Sequence, residues 1–356
     1  MSGLNRIERG GLLAVAILTA LAGVARYVSG IPEIVAFVVA GLALGGGAWV
    51  VSFATEEVGA TMGTAATGML QSTLGNLPEF FVVLFALQDG QLIVAQTALL
   101  GSILVNALLV LGMAIVVGAR RRDDGLMHFS PRLPNDTATL LLVASFVIVL
   151  VGLAGAANDP ASHHITTISI VGAGLLLVVY GVWARQFLTT PQAADEQEGE
   201  VSAARLSRRA ALGLLIAAGA AAGFVSDWFV HALEPTIHSL HISPAFAGLV
   251  IVAIAGNAIE HAVGVVLAAR GRSELAISVI KSSVGQVAAF LFPLLVLVSL
   301  LTSTTLTFAL PPVFTGALAA TALIVWQITG DGEASAFEGA ALIGAFVVIA
   351  TVAAFE

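Results

Sequence analysis

Two stretches decide how this chain is built: Gly75-Asn76-Leu77-Pro78-Glu79, and Gly256-Asn257-Ala258-Ile259-Glu260-His261. Both reduce to Gly-Asn-x-x-Glu, with the glutamates 181 residues apart, and each lies inside a long apolar run. The next run also corresponds in each half: Gly101-Ser102-Ile103-Leu104-Val105-Asn106 against Lys281-Ser282-Ser283-Val284-Gly285-Gln286. Four correspondences in the same order identify an internal duplication.

The surroundings set the solvent. Of 356 residues, 58% are apolar and only 10% are charged, against about 25% charged in soluble domains. The chain is an all-α polytopic membrane protein, because only helices or closed barrels satisfy the backbone in lipid and each run has the length of a helical span. Eleven such runs fall near residues 11–28, 31–53, 64–87, 91–118, 136–156, 165–187, 206–230, 245–269, 274–301, 307–328 and 336–355. The first, which follows Arg6 and Arg9 and contains Ala20-Leu21-Ala22, also fits a cleaved signal peptide. The absence of cysteine excludes disulfides, thiolate metal sites and thiol catalysis. A formal net charge of −8 disfavours nucleic acid as a partner.

Basic residues orient the spans. With the N-terminus inside, Arg6, Arg9, Arg120 to Arg122, Arg132, Arg185, Arg205, Arg208, Arg209, Arg270 and Arg272 all fall in cytoplasmic segments. Only Arg26 falls outside, and Lys281 lies within a span. The long polar interruption at 189–204, with Asp195, Glu196, Glu198 and Glu200, is then cytoplasmic. It reads either as a solvated tether or as an acidic arm that gathers cations near a pore mouth. The domain organisation follows: an extra helix at 1–30, a five-helix repeat at 31–188, the acidic linker at 189–204 and a second five-helix repeat at 205–356. A repeat of five spans is odd, so the second copy is inverted. Inverted repeats with glycine- or proline-interrupted helices at matching positions point to a secondary transporter with its site at mid-membrane.

The site chemistry is that of a hard cation. A carboxylate at mid-membrane costs several kcal/mol unless paired, so Glu79 and Glu260 are the first candidates for an ion or a proton. Asn76 and Asn257 stand three residues before them, and Ser102, Asn106, Ser282, Ser283 and Gln286 supply further oxygens from the next spans. Carboxylates with amide, hydroxyl and carbonyl oxygens suit Ca²⁺. Pro78, Gly75 and Gly256 are positioned to break the helices and free carbonyls. A buried carboxylate emptied of its cation is favoured in the neutral form, so protons replace Ca²⁺, and exclusive occupancy gives antiport. His261 reads either as an added proton-titrating group or as a packing residue. Glu56 and Glu57, ending the second span, read either as a cytoplasmic entry site or as a solvated helix end. His163, His164, His231, His238 and His241 read either as surface residues of external loops or as mild external pH sensors.

The paired motifs, the eleven spans and the acidic linker resemble the cation/proton exchanger branch of the calcium/cation antiporter superfamily over essentially the whole chain, including Thr55-Glu56-Glu57 and Gln96-Thr97-Ala98-Leu99-Leu100-Gly101-Ser102. The resemblance implies Ca²⁺/H⁺ antiport, with Glu79 and Glu260 as central Ca²⁺ ligands, His261 as part of the signature and no cofactor beyond the transported Ca²⁺. The chain departs from that pattern at Gln71, Pro78 and Ala253, and above all at Lys281, about 12 Å into its span by helical rise. Lys281 either snorkels to the cytoplasmic interface or places a positive charge near the glutamates. The rivals are a Na⁺ (or K⁺)/H⁺ or Na⁺/Ca²⁺ antiporter on the same fold and, from another class, a passive cation channel. A membrane enzyme lacks a His-Glu-x-x-His or comparable constellation. A prokaryotic plasma membrane is the expected location, in contact with lipid, Ca²⁺ and H⁺; oligomeric state is not encoded legibly.

Overall fold

The computed structural model describes residues 4–59, 69–70, 73–189 and 205–356, with Ile259 as backbone only. Gln71, most of the acidic linker and the first part of the expected third span lie outside the described residues. Twelve helices follow in order: α1 (Arg6–Tyr27), α2 (Glu33–Gly59), α3 (Leu77–Gln88), α4 (Leu92–Ala119), α5 (Arg132–Ala156), α6 (Pro160–Thr189), α7 (Arg208–Leu240), α8 (Pro244–Ala258), α9 (Glu260–Ala269), α10 (Ser273–Leu301), α11 (Pro312–Thr329) and α12 (Ala336–Ala354). Among the described residues nine helices are long and apolar enough to cross a membrane, and α8 with α9 makes a bent tenth. Helix α3 is the shorter, apolar end of the expected third span. Every one of the eleven expected runs overlaps one of these helices. The protein is an integral membrane protein.

Polar residues set the helix ends. Before α1, the Asn5 side chain accepts from Glu8 N and Glu8 accepts from Asn5 N, both at 2.8 Å. Ser335 and Glu338 make the same reciprocal cap before α12. Helix α7 runs ten residues beyond its expected end, through Pro235. His231 and His238 therefore lie on an exposed helix rather than in a loop, which corrects the sequence reading. The physical reason is that polar side chains end an apolar run without ending a helix. Around Pro235 the Thr236 hydroxyl donates to Ala232 O at 2.7 Å and the Ser239 hydroxyl to Pro235 O at 2.9 Å. His163 and His164 close a short turn capped by Asp159.

The chain forms two compact units, Met1–Phe85 with Gln186–Ile242 and Ala255–Ile259, and Ala86–Arg185 with Ser243–Ile254 and Glu260–Glu356. Each takes chain from both sequence halves, so neither unit coincides with a repeat. In the first, α2 packs along α7 and α1, with Phe37 stacked on Phe229 at 4.8 Å and the Trp49 ring seated on Gly11. In the second, a two-stranded antiparallel ribbon, β1 (Leu126–His128) with β2 (Glu333–Ser335), joins the segment after α4 to the start of α12. No sequence feature announced this ribbon.

The second unit is held together where two backbones touch. A Cβ on Gly101 of α4 would fall 2.2 Å from Leu249 O and 2.6 Å from Leu249 Cα of α8, and one on Gly248 would meet Thr97 Oγ1 at 2.1 Å and Val94 O at 2.8 Å. In lipid, where apolar transfer cannot drive helix association, such small-residue contacts supply the packing. Gly101→Ala is therefore expected to destabilise the protein by about 3 kcal/mol or more, because backbone cannot give way, whereas Gly47→Ala, with nothing within 4 Å, should leave thermal stability near wild type. Equal melting temperatures for the two variants in detergent would contradict this packing account.

Candidate functional site

Three of the long helices share a departure from α-geometry. Residues Val105–Val110 of α4, Ala247–Val252 of α8 and Val287–Leu291 of α10 are π-helical, with Leu111 N donating to Asn106 O, Ala253 N to Gly248 O and Phe292 N to Val287 O, five residues back in each case. The turns in α4 and α10 begin 182 residues apart, the spacing of the two motifs to within one residue. The two turns thus share the spacing of the duplicated motifs. An inserted residue re-aims the side chains around it, and such turns concentrate at functional sites.

In the second unit, side chains beside these turns meet the second motif. Ser283 Oγ donates to Glu260 Oε2 at 2.9 Å, and Asn106 Nδ2 donates to Ser283 Oγ at 3.4 Å and to Ser102 O at 3.1 Å. One bonded chain thus runs from the first repeat (Ser102, Asn106) to the second (Ser283, Glu260). Ser102, Asn106, Ser283 and Gln286 are buried, and Glu260 is half-buried. Among the described residues the Gln286 Oε1 and His261 Nε2 atoms have no hydrogen-bond partner, although both side chains are buried. Ser282 is half-buried and stands outside the chain of bonds. Between Ala258 and Glu260 the helix axis turns by 69°, so the second motif glutamate opens a new helix segment.

In the first unit, Asn76, Glu79 and Asn257 are buried, each no more than 3% exposed. The helix is interrupted at Asn76 and resumes at Leu77, which puts Glu79 in the first turn of α3, where the free backbone N–H groups favour a negative charge. Pro78 fits this position because its missing N–H is not needed there. Its carbonyl accepts a hydrogen bond from Ser226 of α7 at 3.3 Å, a role no motif had marked for that serine. A Cβ on Gly256 would lie 4.0 Å from Glu79 Cβ. The glycine of the second motif thus abuts the glutamate of the first. Among the described residues no three carboxylate or imidazole groups gather as a resident metal site.

Two expectations change. Lys281 does not reach water: it is fully buried, and its Nζ donates to Thr329 Oγ1, the last residue of α11, at 3.3 Å. Glu57 is neither a solvated helix end nor an open entry site. It is buried, and its carboxylate accepts from Arg205 Nε, Arg205 N and Leu206 N, each at 2.7 Å. The same guanidinium donates to Glu8 at 2.6 Å, lies 3.6 Å from Glu56 and sits 5.1 Å from the Phe53 ring centroid. The hydrogen bond with Glu57, reinforced by the charges of Glu56, Glu57 and Glu8 against the opposing effect of burial, holds the Arg205 guanidinium above its ordinary value. This latch binds α1, α2 and the start of α7, and 148 residues separate Glu57 from its partner.

Comparison with known proteins gives the arrangement its family. The model for the sodium/calcium exchanger protein family matches residues 32–188 and 210–355. The chain belongs to that family. Within the sodium/calcium exchangers it falls in the cation/proton exchanger branch. It is 31% identical over 309 residues to the Ca²⁺/H⁺ antiporter ChaA of Bacillus subtilis, covering 83% of this chain and 85% of the relative. It is 30% identical over 307 residues to the vacuolar calcium ion transporter of Schizosaccharomyces pombe, covering 84% of this chain and 74% of that one. The solved structure of native YfkE superposes with a TM-score of 0.80 at 25% identity, over 97% of this chain and all of that one. Helix α1 precedes the first matched stretch.

Removing the latch tests its role. Arg205→Ala leaves Glu57 buried without its cation and should cost roughly 2–4 kcal/mol, less than a wholly buried pair because the arginine is about a third exposed. Glu57→Gln, which still accepts from the two backbone N–H groups, should cost less. Wild-type melting temperature for Arg205→Ala in detergent would contradict the assignment.

Proposed function

We propose that this exchanger moves Ca²⁺ against H⁺ by alternating access, with the two ions competing for Glu79 and Glu260. The observation that carries the reading is the bonded chain Ser102–Asn106–Ser283–Glu260, which links α4 and α10 to one carboxylate through neutral hydroxyl and amide groups. Ca²⁺ takes six to eight oxygens, and two carboxylates alone cannot supply them. Asn76 and Asn257, with carbonyls freed at the helix breaks, complete the set around Glu79, while Ser283 and Asn106 do so around Glu260.

Coupling follows from charge. With Ca²⁺ absent, a carboxylate within the membrane is tolerable only when a proton neutralises it. His261, buried beside Glu260, is a second proton-accepting group in the same segment. An exchanger so built crosses the membrane loaded with Ca²⁺ or loaded with H⁺, and not empty. The names of the relatives, Ca²⁺/H⁺ antiporter and calcium ion transporter, support this choice over Na⁺ or K⁺ as the counter-ion and over a passive channel. The family match on either side of the linker supports two repeats, and the bacterial Ca²⁺/H⁺ antiporter among the relatives supports a plasma membrane; the arginine distribution favours a cytoplasmic linker.

In liposomes with an imposed proton gradient, Ca²⁺ should accumulate uphill and collapse ΔpH, and both Glu79→Gln and Glu260→Gln should abolish this, a loss of about 100-fold or more. Dissipation by Na⁺ or K⁺ with no response to Ca²⁺ would overturn the substrate assignment, and Ca²⁺ leak without a gradient would favour a channel. Lys281 gives a second test. In its ammonium form it repels a divalent ion bound nearby, so Lys281→Met should raise apparent Ca²⁺ affinity about threefold or more. Unchanged affinity and selectivity would contradict a role for that charge.

A further inference from the structure

The end of the α1, α2 and α7 bundle away from the Arg205 latch holds a second concave site, which the exchange reaction does not use. A cavity of about 160 Å³ is lined by Arg26 of α1, Glu33 of α2, and Trp228 and His231 of α7, over a floor composed mostly of alanines. Arg26 is the one basic residue that the charge distribution places on the extracytoplasmic side. Its guanidinium makes no hydrogen bond or ion pair with any described residue, and its Nε is shielded from solvent. Trp228 Nε1 is likewise buried and, among the described residues, has no hydrogen-bond partner. Native structures leave few such donors unsatisfied, and a charged one is the costliest to leave so. Two of them at one cavity call for an acceptor.

Geometry and charge say which. The space exceeds that of a few bridging waters, each needing about 30 Å³, and Arg and indole N–H groups together suit a phosphate. Glu33 is exposed and offers a carboxylate on the same lining, which suits an ammonium group beside that phosphate. Tyr27 lies 5.4 Å from the Arg26 guanidinium carbon and edge-on to Trp228 at 6.2 Å, an aromatic pair of the kind found at the headgroup level of a bilayer. Leu13, Ile17, Leu21 and Val24 form an exposed apolar stripe along one face of the same helix α1. We infer that this cavity binds the headgroup of a phospholipid carrying a phosphate and a primary amine, with the acyl chains lying along α1. The phosphate accepts from Arg26 and Trp228, and the amine donates to Glu33.

The test is native mass spectrometry of the purified protein titrated with phosphatidylethanolamine, phosphatidylcholine and inorganic phosphate. Phosphatidylethanolamine should bind more tightly than phosphatidylcholine, whose quaternary amine has no N–H to donate, and Glu33→Gln should narrow that difference. Arg26→Leu should weaken phosphatidylethanolamine binding about tenfold or more, as expected for a lost charge-assisted hydrogen bond. Trp228→Phe, which keeps the ring packing and removes only the N–H, should weaken it severalfold and serves equally well where Arg26→Leu does not fold. Wild-type lipid affinity in both variants would overturn the site. Binding of inorganic phosphate at Arg26 as tight as that of the lipid would overturn the lipid assignment in favour of a free anion.

Discussion

A carboxylate inside a bilayer must be compensated where it stands, and the breaks in this fold provide for that. Lipid supplies no water to solvate charge and no partner for a loose carbonyl, so irregular backbone survives there only when it faces protein or a bound ion. Glu79 stands in the first turn of a helix that restarts after Asn76, and Glu260 opens the segment beyond a 69° bend. Without those interruptions each glutamate would project from a regular helix with only side chains for company. With them, Glu79 stands at a helix start, and the Ser283 hydroxyl donates to Glu260.

The π turns extend the same logic to the neighbouring helices. A helix of 28 or 29 residues that passes a polar site has to present Asn106 or Gln286 to it while keeping an apolar surface along the rest of its length. One extra residue in a turn rotates the helix face partway along and permits both. Close backbone contact at Gly101 and Gly248 brings α4 and α8 together, and side chains there would hold them apart. The Arg205 latch is the corresponding fixed point of the first unit, tying α1 and α2 to the start of α7.

Much of this was legible in the sequence because apolar runs of membrane length and a duplicated Gly-Asn-x-x-Glu are local signals. All eleven runs overlap helices, and Asn76, Glu79 and Asn257 are buried together in one unit. What was not legible depends on contacts distant in sequence or on backbone geometry without a residue signature. Arg205 looked like one more cytoplasmic arginine, because its partner Glu57 lies 148 residues away. Leu126–His128 and Glu333–Ser335 each look like loop until they are paired. Lys281 read as either a snorkelling or an internal charge, and the partner at its tip, Thr329, lies 48 residues away in sequence. The π turns fall in stretches such as Val105–Val110 whose composition is that of any buried helix.

The central claim is that Ca²⁺ and H⁺ exclude one another at Glu79 and Glu260. It is tested most directly without transport, by adding Ca²⁺ to the purified protein in weakly buffered detergent solution and measuring protons released per Ca²⁺ bound. The account predicts stoichiometric proton release that is lost in Glu79→Gln and Glu260→Gln. Ca²⁺ binding that releases no protons, or release that survives both substitutions, would contradict it.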